Sequence, residues 1–221
     1  MKALWTTPLL LACSVVQAQV PAPKAPDAAY FSQETRALAR VCADEACRLA
    51  PHDTKIQAIY GEILLASGEK AKAKEQFELA VFRDPKDTRL QRFVAQAWLR
   101  HGFKAEAMEN YEAMTAVDLR GRFDNAKNVL LRAATDLLGA GMVKEATAYM
   151  ERSYALDHDD PNNFIEFARA ALKAGQRDLA ARYFARAVKA EPNDVDVWLD
   201  IGSAYADDQM RAQQLVVKAS K

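Results

Sequence analysis

The pattern of apolar and polar positions is clearest over residues 161–192, PNNFIEFARAALKAGQRDLAARYFARAVKAEP. Phe164, Phe167, Ala168 and Ala171 share one face of a helix, and Ala180, Phe184 and Ala187 share a face of the next, with a turn at Ala174-Gly175-Gln176. Small residues stand where two helices must cross closely, and aromatics fill the space beside them. A lone hairpin of this kind cannot bury its apolar surface, so it requires copies on either side.

The copies are present. Alanines recur at Ala39, Ala73, Ala107, Ala146 and Ala180, in steps of 34, 34, 39 and 34 residues. Turn glycines recur at Gly68, Gly102, Gly141 and Gly175, in steps of 34, 39 and 34, which is half of the 8 glycines in the chain. Four units follow, at 54–87, 88–121, 127–160 and 161–194, flanked by a lone second helix over 35–53 and capping helices over 195–221. The last pair is read with a turn at Asp207-Asp208 and a truncated final helix over 210–221. Asp53, Asp87 and Asp160 precede first helices as capping carboxylates, and Pro161 suits the first helical position. Five extra residues near 122–126 separate the second and third units and predict a protruding loop. Trp98 and Trp198 fall at core positions.

This 34-residue helix–turn–helix grammar resembles the tetratricopeptide repeat family over about residues 35–206. The resemblance implies an all-α, right-handed superhelical solenoid whose first helices line a concave face. It also implies that a protein or peptide partner is held by inner positions of those first helices. On that mapping the candidate binding residues are Arg89, Arg92, Gln96, Leu99 and Arg100 in the second unit, Arg132 and Thr135 in the third, and Arg169, Leu172 and Lys173 in the fourth. Leu65, Leu99, Leu138 and Leu172 occupy one equivalent position, as packing between neighbouring repeats or as a bed for apolar side chains of a ligand. Some family members grip a terminal carboxylate with Lys and Asn at inner positions. Here Gln96 and Thr135 stand there instead, so the expectation is a broader acidic segment.

Lys+Arg and Asp+Glu both number 30, so the whole-molecule field recruits neither nucleic acid nor membrane. Residues 1–18 read as an export signal: Lys2, an apolar run over 9–16, and the small-x-small pattern Val16-Gln17-Ala18. Residues 19–34 form a Pro/Ala-rich spacer. The expected destination is periplasmic or secreted. Leu10-Leu11-Ala12-Cys13 gives an alternative, a lipoprotein signal over 1–12 with Cys13 acylated on the outer membrane. Membrane anchoring then rests on Cys13 alone, since no later stretch approaches the roughly 18 apolar residues of a spanning helix.

Cys42 and Cys47 suggest a disulfide in an exported chain. A continuous helix would hold their alpha carbons about 8 Å apart, beyond bridging distance, so a bond requires a break near Asp44-Glu45. His52, His101 and His158 lie apart at boundaries and turns, and Asp157-His158-Asp159-Asp160 lacks the ligand spacing of a calcium loop. No metal, cofactor or catalytic set is expected. The functional expectation is an exported adaptor for a cell-envelope, pilus or secretion complex. A lipid-anchored assembly lipoprotein is the second reading, and a hydrolase with an unrecognised site is a third.

Overall fold

The computed structural model describes residues 35–117, 126–156 and 160–219. Among them the chain is entirely helical: α1 (Thr35–Leu49), α2 (Thr54–Ala66), α3 (Lys70–Arg83), α4 (Thr88–Arg100), α5 (Lys104–Thr115), α6 (Ala126–Gly139), α7 (Val143–Leu156), α8 (Pro161–Lys173), α9 (Arg177–Ala190) and α10 (Val195–Ala219). The expected export signal, the spacer, Cys13, His158 and the insertion before Ala126 lie outside the described residues. No helix among them is long and apolar enough to cross a membrane.

Local chemistry starts and stops each hairpin. The Asp53 carboxylate accepts from the amides of Lys55 and Ile56, Asp87 from those of Arg89 and Leu90, and Asp160 from that of Asn162. These bonds satisfy first-turn donors that have no partner inside the helix. Between helices, Gly68, Gly102, Gly141 and Gly175 hold φ of 80°, 81°, 73° and 74°. That left-handed region strains any residue with a Cβ, which is why glycine marks the turn. A further tie recurs at the fourth position of a unit: Gln57 and Gln91 donate to the carbonyls of Pro51 and Pro85 at 3.1 and 2.7 Å.

Each first helix packs along its own second helix, as α2 on α3, α4 on α5, α6 on α7 and α8 on α9. Consecutive first helices also approach one another closely, more so than consecutive second helices. The stack therefore curves with α2, α4, α6, α8 and α10 on its inner side. The core is one continuous cluster through the whole stack, including Phe77, Trp98, Tyr111, Leu137, Met150 and Phe167. At Gly61 the crossing is so close that an added Cβ would lie 2.6 Å from the Phe77 ring.

Two expectations are corrected by the tertiary structure. The anticipated turn at Asp207-Asp208 is absent, and α10 runs unbroken over 25 residues. Trp198, expected in the core, is 54% exposed, its indole N–H donating to the Pro192 carbonyl at 3.1 Å. Among the described residues no second helix folds back to cover it. At the other end α1 is continuous through Asp44-Glu45, and Cys42 and Cys47 are free thiols, Cys42 exposed. The helix geometry that forbids their bridge is the one that forms.

Candidate functional site

The α4 face turned to the next repeat carries Arg89, Arg92, Phe93 and Gln96, placed three and four residues apart so that they share one side of the helix. Opposite stands α6, with Val129, Arg132 and Asp136. Between the two helices lies a cavity of about 620 Å³, lined by Thr88, Arg89, Arg92, Phe93, Gln96, Met114, Val129 and Arg132. Four of the ten residues expected to bind a partner meet here: Arg89, Arg92, Gln96 and Arg132.

Two of the lining residues, Arg92 and Gln96, meet in a polar node on Asp136, whose side chain is 11% exposed. Arg92 donates to both carboxylate oxygens at 2.7 and 2.8 Å, the Gln96 amide donates at 2.9 Å, and the Tyr111 hydroxyl donates at 3.1 Å. The two-pronged guanidinium–carboxylate geometry fixes α4 against α6. Hydrogen bonding to Asp136 raises the Arg92 pKa further, and burial pushes the Tyr111 phenol far up. Arg89 is exposed at the rim and has no side-chain partner among the described residues.

The other predicted residues do not join this site. Arg100 is exposed and pairs with Glu62 of α2 at 2.7 Å. The Thr135 hydroxyl donates to the Arg132 carbonyl of its own helix at 2.9 Å. Arg169 binds the Asp200 carboxylate at 2.7 Å and the Asp200 carbonyl at 3.0 Å. Leu172 is buried, as are Leu65 and Leu138, and Leu99 is half-buried against the core, so the leucine strip is packing between repeats. Lys173 is exposed at the end of α8. Three of the candidate arginines are thus paired with acids of neighbouring helices, Arg100 with Glu62, Arg92 with Asp136 and Arg169 with Asp200. Asp136 had a visible signal: a lone acid within the apolar run Ala133-Ala134-Thr135-Asp136-Leu137-Leu138.

On the outer side the second helices are clipped together. Tyr149 and Arg152 of α7 both donate to Glu112 of α5, at 2.6 and 2.8 Å. Tyr183 and Arg186 of α9 repeat the arrangement on Glu151 of α7, at 2.7 and 2.5 Å. Each arginine also lies over its own tyrosine, 4.8 Å away for Arg152 and 5.1 Å for Arg186. Burial alone would raise the Glu112 pKa, but its Tyr149 and Arg152 bonds hold it below the usual carboxylate value; Arg186 does the same for Glu151. Among the described residues no group of three or more His, Cys, Asp or Glu is placed to hold a metal ion.

The tetratricopeptide repeat sequence profile matches residues 60–119 and 165–209. No curated protein matches the chain in sequence. Among solved structures it is similar to a chain of the APC/C hetero-tetramer Cut9–Hcn1, at 17% identity and TM-score 0.43, over 85% of this chain and 38% of that one. It is also similar to Pseudomonas aeruginosa pilF, at 15% identity and TM-score 0.43, over 87% of this chain and 93% of that one. A third likeness is to YrrB, described as a TPR protein with an unusual peptide-binding site, at 19% identity and TM-score 0.36, over 76% and 84% of the two chains. Repeats of this fold are protein–protein interaction scaffolds. By its stacked helix pairs, its glycine turns and the profile match, this chain carries tetratricopeptide repeats over residues 60–119 and 165–209.

Proposed function

We propose that this protein is an exported adaptor that holds an acidic segment of a partner protein in the cavity between α4 and α6. The carrying observation is the convergence of Arg89, Arg92 and Arg132 on one hollow of about 620 Å³. The hollow brings the side chains of Arg89, Arg92 and Arg132 to one place, and guanidinium groups bind carboxylates through paired, charge-assisted bonds. Phe93, Met114 and Val129 supply an apolar wall for the stems of such a segment. The sequence of residues 1–18 supports export, and with it a place in assembling a cell-envelope, pilus or secretion complex.

Arg92 belongs to the fold as well as to the hollow, so the test avoids it. Arg89→Glu with Arg132→Glu should weaken binding of a fluorescent Asp/Glu-rich peptide by about tenfold or more, while Lys173→Glu, outside the cavity, should change it little. Raising salt from low to moderate should weaken the unmodified protein too, because exposed charges are screened over about 10 Å at 0.1 M. Equal affinities for the double variant and the unmodified chain would remove the cavity from the binding surface. Mass spectrometry of the cell-derived protein reads the export route: a free Gln19 terminus supports soluble export, acyl-Cys13 the lipid-anchored form, and an intact Met1 neither.

A further inference from the structure

Two closed seams between outer helices define what a third one lacks. Tyr149 and Arg152 of α7 reach back to Glu112 of α5, and Tyr183 and Arg186 of α9 reach back to Glu151 of α7. In each case the tyrosine is buried and the arginine lies over its ring. The acid of the third seam is present. Glu78 of α3 precedes Glu112 by 34 residues, and Glu112 precedes Glu151 by 39, so all three share one repeat position. The residues that should meet Glu78 from α5 are Asn110, in the tyrosine's place, and Ala113, in the arginine's. Asn110 turns away, its amide donating to the Glu106 carbonyl of its own helix at 2.8 Å. Ala113 has no polar atom to offer.

Between α3 and α5 there is instead a hollow of about 290 Å³, bordered by Glu78 and Asn110. The rings of Phe77 and Trp98 line it, packed edge to face with centroids 5.2 Å apart. Phe77 holds the repeat position of Tyr111, the ring on which Tyr149 packs at 6.5 Å in the closed seam. Phe82, also in the lining, is 81% exposed, more than any other large apolar side chain among the described residues. Carboxylates border the hollow from both helices, Glu78 on one and Glu106 and Glu109 on the other. Glu106 is taken by Lys70. Glu78 meets Lys74 at 3.7 Å, with both side chains more than half exposed, and such a pair holds its acid weakly.

We propose that this hollow is a second docking site, and that its occupant is a helix of a partner protein presenting a tyrosine and an arginine three residues apart. The ring enters against Phe77 and Trp98, where aromatic edges and faces match. The hydroxyl and the guanidinium donate to Glu78, and the guanidinium lies between Glu109 and the open face of Phe82. A partner thus supplies from outside the pair of side chains that α7 and α9 supply from within. The chain itself selects this occupant, because the same acid at the same repeat position is met twice by that pair. Charge agrees with it. Glu78, Glu106 and Glu109 repel an acidic segment of the kind proposed for the cavity between α4 and α6, so the two sites take opposite chemistry.

The probe is a synthetic alanine-based helical peptide with one Tyr-x-x-Arg pair, titrated into the isotope-labelled full chain and followed by NMR. Amide shifts should centre on α3 and α5. Glu78→Lys with Glu109→Lys should weaken binding by about tenfold or more, and a peptide with glutamate in place of its arginine should lose as much. Asn110→Tyr with Ala113→Arg, which fills the hollow from within, should abolish binding. If that variant fails to fold, the lysine pair, at two exposed positions, decides the matter by itself. Absence of binding, shifts centred on other helices, or equal affinity for the lysine variant or the glutamate peptide would each overturn the proposal. So would a dimer in light scattering that the lysine pair dissolves, since the hollow would then belong to a second copy of this chain. Binding of an acidic peptide between α4 and α6 is read separately, so either site can fail without the other.

Discussion

The seam between α4 and α6 and the seam between α6 and α8 join helices of the same kind, yet they are built from opposite chemistry. The first is held by Arg92, Gln96 and Tyr111 on Asp136 and encloses a cavity. The second brings α6 and α8 into close contact through buried Leu131, Leu138, Ile165 and Leu172. The irregular step of 39 residues falls at the hollow seam, and a regular step of 34 falls at the closed one. Register accounts for the difference. Repeats spaced alike present matching ridges and grooves to each other, whereas an inserted segment leaves neighbouring first helices free to part and be bridged by long polar side chains.

The largest expected effects separate the two seams. Leu138→Ala should cost about 2–5 kcal/mol in urea unfolding, because the cavity left in a fully buried site cannot close. Asp136→Ala should cost roughly 3 kcal/mol, because it strands three donors, one of them a half-buried guanidinium. Only the polar seam should be repairable from the other side: Arg92→Met with Asp136→Leu should restore at least half of the loss, as apolar pairs commonly replace buried ion pairs. If Arg92→Met makes Asp136→Leu worse, the node is not the tie between α4 and α6.

The outer seams sharpen the comparison at smaller scale. Glu78 of α3 stands where Glu112 and Glu151 stand in later units, but Asn110 and Ala113 of α5 occupy the places of the clip's tyrosine and arginine. A cavity of about 290 Å³, lined in part by Glu78, Phe82 and Asn110, lies there instead. Asn110→Tyr with Ala113→Arg should complete a third clip and add about 0.5–1.5 kcal/mol. No gain in unfolding midpoint would mean that the clip motif depends on more than these three positions.

The smallest effect is a pH dependence confined to the clipped seams. Glu151 is held below its ordinary value of 4.5, first by the Arg186 hydrogen bond and then by Tyr183, against the opposing effect of burial. A carboxylate with a depressed folded pKa adds stability that is full above its unfolded value and is lost as pH falls through the folded one. Unmodified protein should therefore exceed Glu151→Gln in stability at pH 7, and the difference should shrink as pH drops below 4.5. Glu78→Gln should show little difference at either pH, since among the described residues the ion-pair partner of Glu78 is the exposed Lys74, at 3.7 Å. Parallel pH profiles for all three proteins would mean that the Glu151 clip adds nothing.

Much of this architecture was legible before any coordinates, because its causes are local. The glycine recurrence found the turns, since a left-handed φ excludes other residues wherever it occurs. Asp53, Asp87 and Asp160 declared helix starts because a cap acts within three residues of itself. Of the site, the α4 contribution was legible for the same reason: Arg89, Arg92 and Gln96 share a face by spacing alone. Their fates were not. Arg92 and Arg169 look alike in sequence as inner-face cations, and only the folded chain sets them against Asp136, 44 residues away, and Asp200, 31 residues away.

By itself, then, the sequence determined the helix pairs, their turns, their caps and the small residues at each crossing, all of which depend on neighbours within a few residues or on one repeated period. Tertiary structure decided which arginines are spent on internal carboxylates, that the hollow opens between α4 and α6, and that Trp198 faces solvent on an unbroken α10. Those outcomes depend on the spacing between repeats and on what lies across a helix interface, and pairing across tens of residues leaves no periodic trace in the chain.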